Sequence, residues 1–183
     1  MQPRHPRTLP RHWLMTDERM GDRLWDALDA LPRGAGVVFR HYSLPLAKRR
    51  ALFAQVAKLA RRKHLLLLRA GAAPLGRGEA GTHNARCSCR GGVTSRAVHD
   101  MRELAAANHA GVDLIFLSPA FSTRSHKGAG TLGPLRFAQI AAQSRAPVIA
   151  LGGMTPMRAR RLRAANLHGW AAIDWWLEKP GRC

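Results

Sequence analysis

"GVDLIFLSPAFSTRSHKGAGTLGPLRFAQIAAQSRAPVIALGGM", Gly111 to Met154, is the stretch on which the fold turns. The run VDLIFLSPA reads as a strand. Then come three hydroxyls, an arginine, a histidine, a lysine and several glycines. The segment GPLRFAQIAAQS spaces its apolar residues as a helix does, with Leu135, Ile140 and Ala141 expected inward and Phe137 beside them. APVIALGGM follows as a second strand running into a double-glycine turn. Strand, helix and strand at this spacing form a βαβ unit, whose two strands lie parallel. A strand that only fills a core needs no cluster of hydroxyls and cations at its end.

The same alternation extends in both directions. PMRARRLRAANLHG reads as a helix with proline in its first turn, where a missing N–H costs least. GWAAIDWWL reads as the last strand. Upstream, GVTSRAVH is a strand candidate. DMRELAAANHAG is a helix opened by Asp100 as N-cap and closed by Gly111. HLLLLRA (64–70) is a continuous apolar run of the kind buried on both faces. The helix from Leu46 to Lys63 is expected to bury Leu52, Val56 and Leu59, and GVVFRH is the strand before it. DRLWDALDAL carries Leu24, Trp25, Leu28 and Leu31 on one face, and HWLMT is a short first strand. Residues 71–92 are glycine-rich, with room for one very short strand near GTHNA. Seven strands plus this weak one point to an α/β fold, a compact TIM (β/α)8 barrel with shortened or missing helices in the middle of the chain. A doubly wound open sheet is the structural alternative. Its dinucleotide-binding version lacks support, since no glycine-rich phosphate loop follows the first strand.

Composition bounds the rest. The chain has 183 residues, which suits one domain. We expect a disordered basic lead over 1–11, a single barrel domain over 12–178 and a tail over 179–183. No apolar run approaches the roughly 20 residues of a membrane span. The basic N-terminus has no signal-peptide core, so a cytoplasmic location is expected. Cys87, Cys89 and Cys183 are too few and too oddly spaced for a disulfide framework. With His83 nearby, a metal site at Cys87 and Cys89 is conceivable, but a mobile loop is the expected reading. The formal charge of +19 favours anionic partners. It is concentrated only in 47–64 and 157–166, both read as helices with a solvated basic face. No nucleic-acid module is recognised, so nucleic acid is not the expected partner. The three late tryptophans, Trp170, Trp175 and Trp176, are expected to pack rather than to stack on bases.

In a barrel of this kind the site lies at the C-terminal ends of the strands, and loops after strands seven and eight commonly hold phosphate. The cluster after Leu117 leaves a strand at that end. Its hydroxyls, with Arg124, His126 and Lys127 beside them, and the backbone of Gly152 and Gly153 would form an anion cradle.

At these residues the sequence resembles thiamine phosphate synthases and their relatives, including the thiazole tautomerases. The family pattern is a strand ending in Gly-Pro-x-Phe, then Thr-x-Thr-Lys, then an Ile-Gly-Gly turn, and the likeness is most specific from Thr94 to Ile173. It implies a TIM barrel that joins hydroxymethylpyrimidine diphosphate to a thiazole phosphate, expelling pyrophosphate bridged by Mg2+. The implied partners are these small phosphorylated metabolites. The resemblance matches Thr123 and Ser125 to the phosphate-binding Thr-x-Thr pair, with Lys127 beside the family's lysine position at His126. It matches Gly153 to the glycine on the thiazole phosphate, Arg40 to the arginine of Gln-x-Arg-x-Lys, and Ile173 to its counterpart. Asp174 replaces a serine, Ala97 replaces the serine two residues before His99, and Val38 and Tyr42 replace the glutamine and lysine.

The family's third strand ends in Asn-Asp, whose aspartate binds magnesium. Here that place reads Arg69-Ala70, and NARCSCRGG after the fourth strand holds no acid. No ordinary magnesium site is expected, and no other cofactor is. Two readings stand side by side: Arg69 offsets the charge of a departing anion as a fixed cation, or the catalytic apparatus is eroded. The histidine that tautomerases use after strand six is absent from Leu117-Ser118-Pro119, leaving His99 or His126 to serve only by another geometry. The leading expectation is a transferase of this family. A tautomerase-like or other phosphate-ligand enzyme, and a non-catalytic phosphate-ligand binder, are the alternatives.

Overall fold

A computed structural model describes residues 8–85, 91–122, 130–162 and 166–178. Eight parallel strands close into a barrel in sequence order. They are β1 (His12–Met15), β2 (Gly36–Phe39), β3 (Leu66–Ala70), β4 (Gly81–His83), β5 (Val93–Val98), β6 (Leu114–Leu117), β7 (Val148–Leu151) and β8 (Leu167–Ala172). Among the described residues five α-helices surround them: α1 (Arg23–Ala30), α2 (Leu46–Lys63), α3 (Met101–Ala110), α4 (Gly133–Ala142) and α5 (Pro156–Arg161). The short strand near His83 is β4, and the ten residues between β3 and β4 carry no helix.

Alternation along the strands sorts the core into two layers. Trp13, Val38, Leu68, Ala70, Leu114, Phe116 and Ile149 fill the barrel interior. Leu14, Val37, Leu67, Ile115 and Ala150 face the helices. Inside, Phe116 takes the edges of both Trp13 and His83, each with ring centroids 5.2 Å apart. Gly36 makes room for Trp13: a Cβ there would lie 2.2 Å from the indole.

Several sequence expectations shift. In α2 the buried stripe is Arg49, Phe53, Val56, Ala57 and Ala60. Leu52 and Leu59 pack only at its margin, because Phe53 turns the helix toward the β2 ring of Phe39. Leu135 is 76% exposed. Phe137, Ile140 and Ala141 take the inward stripe of α4, and Leu135 lies roughly 200° away from Phe137 around the helix. The final strand starts earlier than expected, at Leu167, and Asp174–Trp176 form a 3-10 turn instead of extending it.

The seam between first and last strands is clamped at both ends. Trp176 donates its indole N–H to the Trp13 carbonyl at 2.9 Å and stacks on Trp170 with centroids 5.3 Å apart. Trp170 and Trp176 thus pack, as expected. Residues 8–11, expected as the end of a disordered lead, instead cover the bottom of the barrel. Trp13 donates to the Pro10 carbonyl at 2.7 Å, and His168 bonds the Leu9 carbonyl at 2.8 Å.

Candidate functional site

Loops after β6, β7 and β8 meet at the C-terminal mouth. The Phe121 N–H bonds the Gly152 carbonyl at 3.1 Å, and the Ala120 N–H bonds the Leu151 carbonyl at 2.8 Å. Gly152 and Gly153 have φ of +95° and +60°, a backbone region that favours glycine. At Gly153 a Cβ would lie 2.4 Å from the Ser122 carbonyl oxygen, so the turn also needs glycine for space.

These loops wall a cavity of about 270 Å³, lined by Ser122, Gly152, Gly153, Thr155, Arg158 and Ile173, with Asp174, Trp175 and Glu178 closing one side. Thr155 caps α5 by accepting from the Arg158 N–H at 3.2 Å. This fixes the backbone from which the Arg158 side chain returns. Its guanidinium donates to the Gly153 carbonyl at 2.5 Å and lies 5.2 Å from the Phe121 ring centroid. Backbone at a glycine turn, a hydroxyl and a guanidinium on one concave surface suit the oxygens of a phosphoryl group. Arg158 was hidden in the sequence among the other arginines of its helix. Proline at the helix start was the one usable signal, since it fixes which residue occupies the first turn.

Gly152, Gly153, Ile173 and Asp174 therefore share one cavity, as the barrel reading requires. Thr123, Arg124, Ser125, His126 and Lys127 lie outside the described residues, as do Cys87, Cys89 and Cys183. The last described residue before the hydroxyl cluster, Ser122, lines the cavity.

Arg40 stands on the opposite side of the mouth. Its Nε donates to the Thr16 carbonyl at 2.8 Å and one terminal nitrogen to Asp17 Oδ2 at 2.9 Å. Asp17 also accepts from Arg19 at 2.8 Å. The hydrogen bond from Arg19 holds the Asp17 carboxyl below its usual range, and nearby Arg40 adds to the effect. A second concavity of about 330 Å³ opens here, between the loops after β1 and β2.

Arg69 does not reach the site. It shares the outward register of Leu67, while Leu68 and Ala70 point into the barrel. Its Nε donates to Glu79 Oε2 at 2.8 Å, and a terminal nitrogen donates to the Gly71 carbonyl. The pair is almost wholly buried, at 5% and 10% side-chain exposure. Glu79 Oε1 also accepts the Leu75 and Gly76 N–H groups at 2.6 and 3.3 Å. This one carboxylate organises the loop that stands where a helix would.

Arg49 from α2 reaches the ends of β2 and β3 instead. One terminal nitrogen donates to the Arg40 carbonyl at 2.8 Å and to the Ala70 carbonyl at 2.7 Å. The residue is 7% exposed, and its Nε is buried with no hydrogen-bond partner. Tyr42 lies over the guanidinium, 5.3 Å from ring centroid to Cζ.

His99 is an exposed residue whose Nδ1 pairs with Glu103 at 2.8 Å, tying the end of β5 to α3. His83 is enclosed in the barrel, with Nδ1 bonded to Ser95 Oγ at 3.0 Å. Burial pushes its pKa down to about 3, so the ring is neutral at ordinary pH. Among the described residues no three His, Cys, Asp or Glu side chains gather as metal ligands. The interior end of β3 is Ala70, which offers no side-chain oxygen. The residues present do not fit a carboxylate-bound magnesium ion there.

A closed parallel barrel with a cavity beyond strands seven and eight defines a (β/α)8 protein with a concave site at its C-terminal mouth. The model of the thiamine monophosphate synthase family matches residues 14–175, and the chain belongs to that family. A protein of Aquifex aeolicus (strain VF5) named "Putative thiamine-phosphate synthase 2" is 30% identical over 86 residues. That match spans 47% of this chain and 46%, about half, of the relative. The solved thiamine phosphate pyrophosphorylase from Pyrococcus furiosus superposes with a TM-score of 0.75 at 19% identity, covering 91% of this chain and 86% of that one. At that identity the likeness speaks to the fold.

Proposed function

We propose that the protein is a transferase of thiamine phosphate synthesis, joining hydroxymethylpyrimidine diphosphate to a thiazole phosphate. The observation that carries this reading is the Gly152–Gly153 turn with the Arg158 guanidinium held against it, both lining a cavity of about 270 Å³. The chemistry needs charge stabilisation on a leaving diphosphate and close positioning of two partners. The phosphoryl group of the thiazole would sit on the glycine turn with Arg158. Thr123, Ser125 and Lys127 are the proposed hydroxyls and cation of the neighbouring loop, and Ile173 the apolar wall.

A second reading, a non-catalytic phosphate-ligand binder, is favoured by Ala70 at the end of β3 and by the carboxylate of Asp174 in the phosphate cavity. Complementation of a thiamine auxotroph lacking its synthase separates the two. Growth, with thiamine phosphate formed by the purified protein, supports the transferase. Failure to grow together with tight binding of a thiazole phosphate supports the binder.

A further inference from the structure

We propose that Arg49 forms a second anion site at the β2–β3 edge of the mouth, where its guanidinium takes the pyrophosphoryl end of the substrate in place of a metal ion. This rests on the transferase or binder reading above and adds a residue and a charge-stabilising device to it.

Four observations converge. The interior end of β3 is Ala70, and the guanidinium that reaches that strand end is Arg49, 2.7 Å from the Ala70 carbonyl oxygen. Arg49 is 7% exposed, and its Nε has no hydrogen-bond partner. No carboxylate pairs with it among the described ion pairs, whereas the neighbouring Arg40 and Arg69 are matched by Asp17 and Glu79. Arg49 also lies in the first turn of α2, which starts after Pro45 with no side-chain cap and no acidic residue. The positive end of the helix dipole therefore adds to a buried positive charge instead of relieving it.

A guanidinium kept only to staple two strand ends has no need of this environment. The carbonyls of Arg40 and Ala70 satisfy one terminal nitrogen and leave Nε buried without an acceptor. Leaving a buried N–H donor unmet is costly. An anion meets that donor, matches the charge and gains from the helix N-terminus. Pyrophosphate is favoured over a carboxylate ligand because the family's reaction releases one. Access runs past Tyr42, which is 55% exposed and covers the guanidinium from the solvent side. Charge-assisted hydrogen bonds to the anion replace the cation–π contact that its displacement gives up. No sequence pattern marks Arg49, because its neighbours Lys48 and Arg50 are both exposed.

The test is calorimetric titration of inorganic pyrophosphate in EDTA into wild type, Arg49→Met, Arg49→Lys and Arg158→Met. Wild type is expected to bind, Arg49→Met to lose affinity tenfold or more, Arg49→Lys to lose less, and Arg158→Met to lose less than Arg49→Met. Pyrophosphate binding that appears only when magnesium is added would overturn the proposal. So would binding lost in Arg158→Met but kept in Arg49→Met. Should Arg49→Met fail to fold, the Nε–H resonance of Arg49 in wild type, assigned by its absence in Arg49→Lys, decides the matter. A shift on adding pyrophosphate supports the site, and an unmoved resonance sinks it. Turnover is read separately. Pyrophosphate held by Arg49 without thiamine phosphate formation leaves this site standing while the transferase reading falls. Turnover with pyrophosphate affinity untouched by Arg49→Met does the reverse.

Discussion

Gly153 and Arg158 act as a pair. The left-handed turn at Gly153 leaves no room for a Cβ, and its carbonyl anchors the guanidinium. Gly153→Ala should displace the turn from Ser122 and cost about 1–3 kcal/mol of stability, seen as a lower urea midpoint. Arg158→Met keeps the fold, since the side chain is exposed. It should weaken a thiazole phosphate about tenfold or more, the loss of one charge-assisted contact of about 1.5–3 kcal/mol, measured by calorimetry. His83 sets a pH limit. Its folded pKa, about 3, lies below the unfolded value near 6.5, so the unfolded chain binds the extra proton between these values. Stability is therefore full above pH 6.5 and falls as pH drops toward 3. From pH 6.5 to 5 the loss should be about 2 kcal/mol, and His83→Asn should flatten that slope in denaturation curves. The glycine turn was legible in the sequence, whereas the burial of Arg69 against Glu79 was not. Arg69 sits at the right strand end with the wrong parity, and Arg49 comes from a helix whose rotation depends on where Phe53 packs.

Element by element, strands were more legible than helix faces. Every strand is short, most are apolar, and the barrel gives each one two parallel neighbours, so the order of elements fixed the topology. Even the three-residue β4 was marked by the glycine and threonine before His83. Helix rotation was harder to read. In α2, leucines and alanines compete for the buried stripe, and the larger Phe53 wins. The loop between β3 and β4 was illegible because its organiser, Glu79, is a lone carboxylate in a glycine-rich run. Glu79→Gln removes the counter-charge from a nearly buried Arg69. It should cost about 3–5 kcal/mol, read as a fall in the urea midpoint, with the 71–80 backbone amides losing protection first in hydrogen exchange. Replacing both Arg69 and Glu79 by apolar residues should recover only the part due to the unpaired charge, since the Leu75 and Gly76 N–H groups still lose their acceptor.

The whole molecule carries a formal charge of +19, which raises the concentration of phosphorylated ligands near its surface. Ligand association should slow several-fold between 20 and 200 mM salt, roughly the range over which the Debye length falls to about 10 Å or less. Stopped-flow measurement of ligand binding checks this, and a salt-independent rate would contradict it. Among the described residues no helix is long and apolar enough to cross a membrane. The seam that closes the barrel bears on how the protein is made. β1 pairs with β8, and the Trp13 carbonyl waits for the indole of Trp176, 163 residues later. During translation the first strand leaves the ribosome with one edge unpaired and stays so until the last strand emerges. At about 5–20 residues per second that interval is on the order of ten seconds or more. The growing chain is therefore an open, curved sheet with an apolar interior and an adhesive rim, and its burden on chaperones falls on one late event, the arrival of Leu167–Ala172.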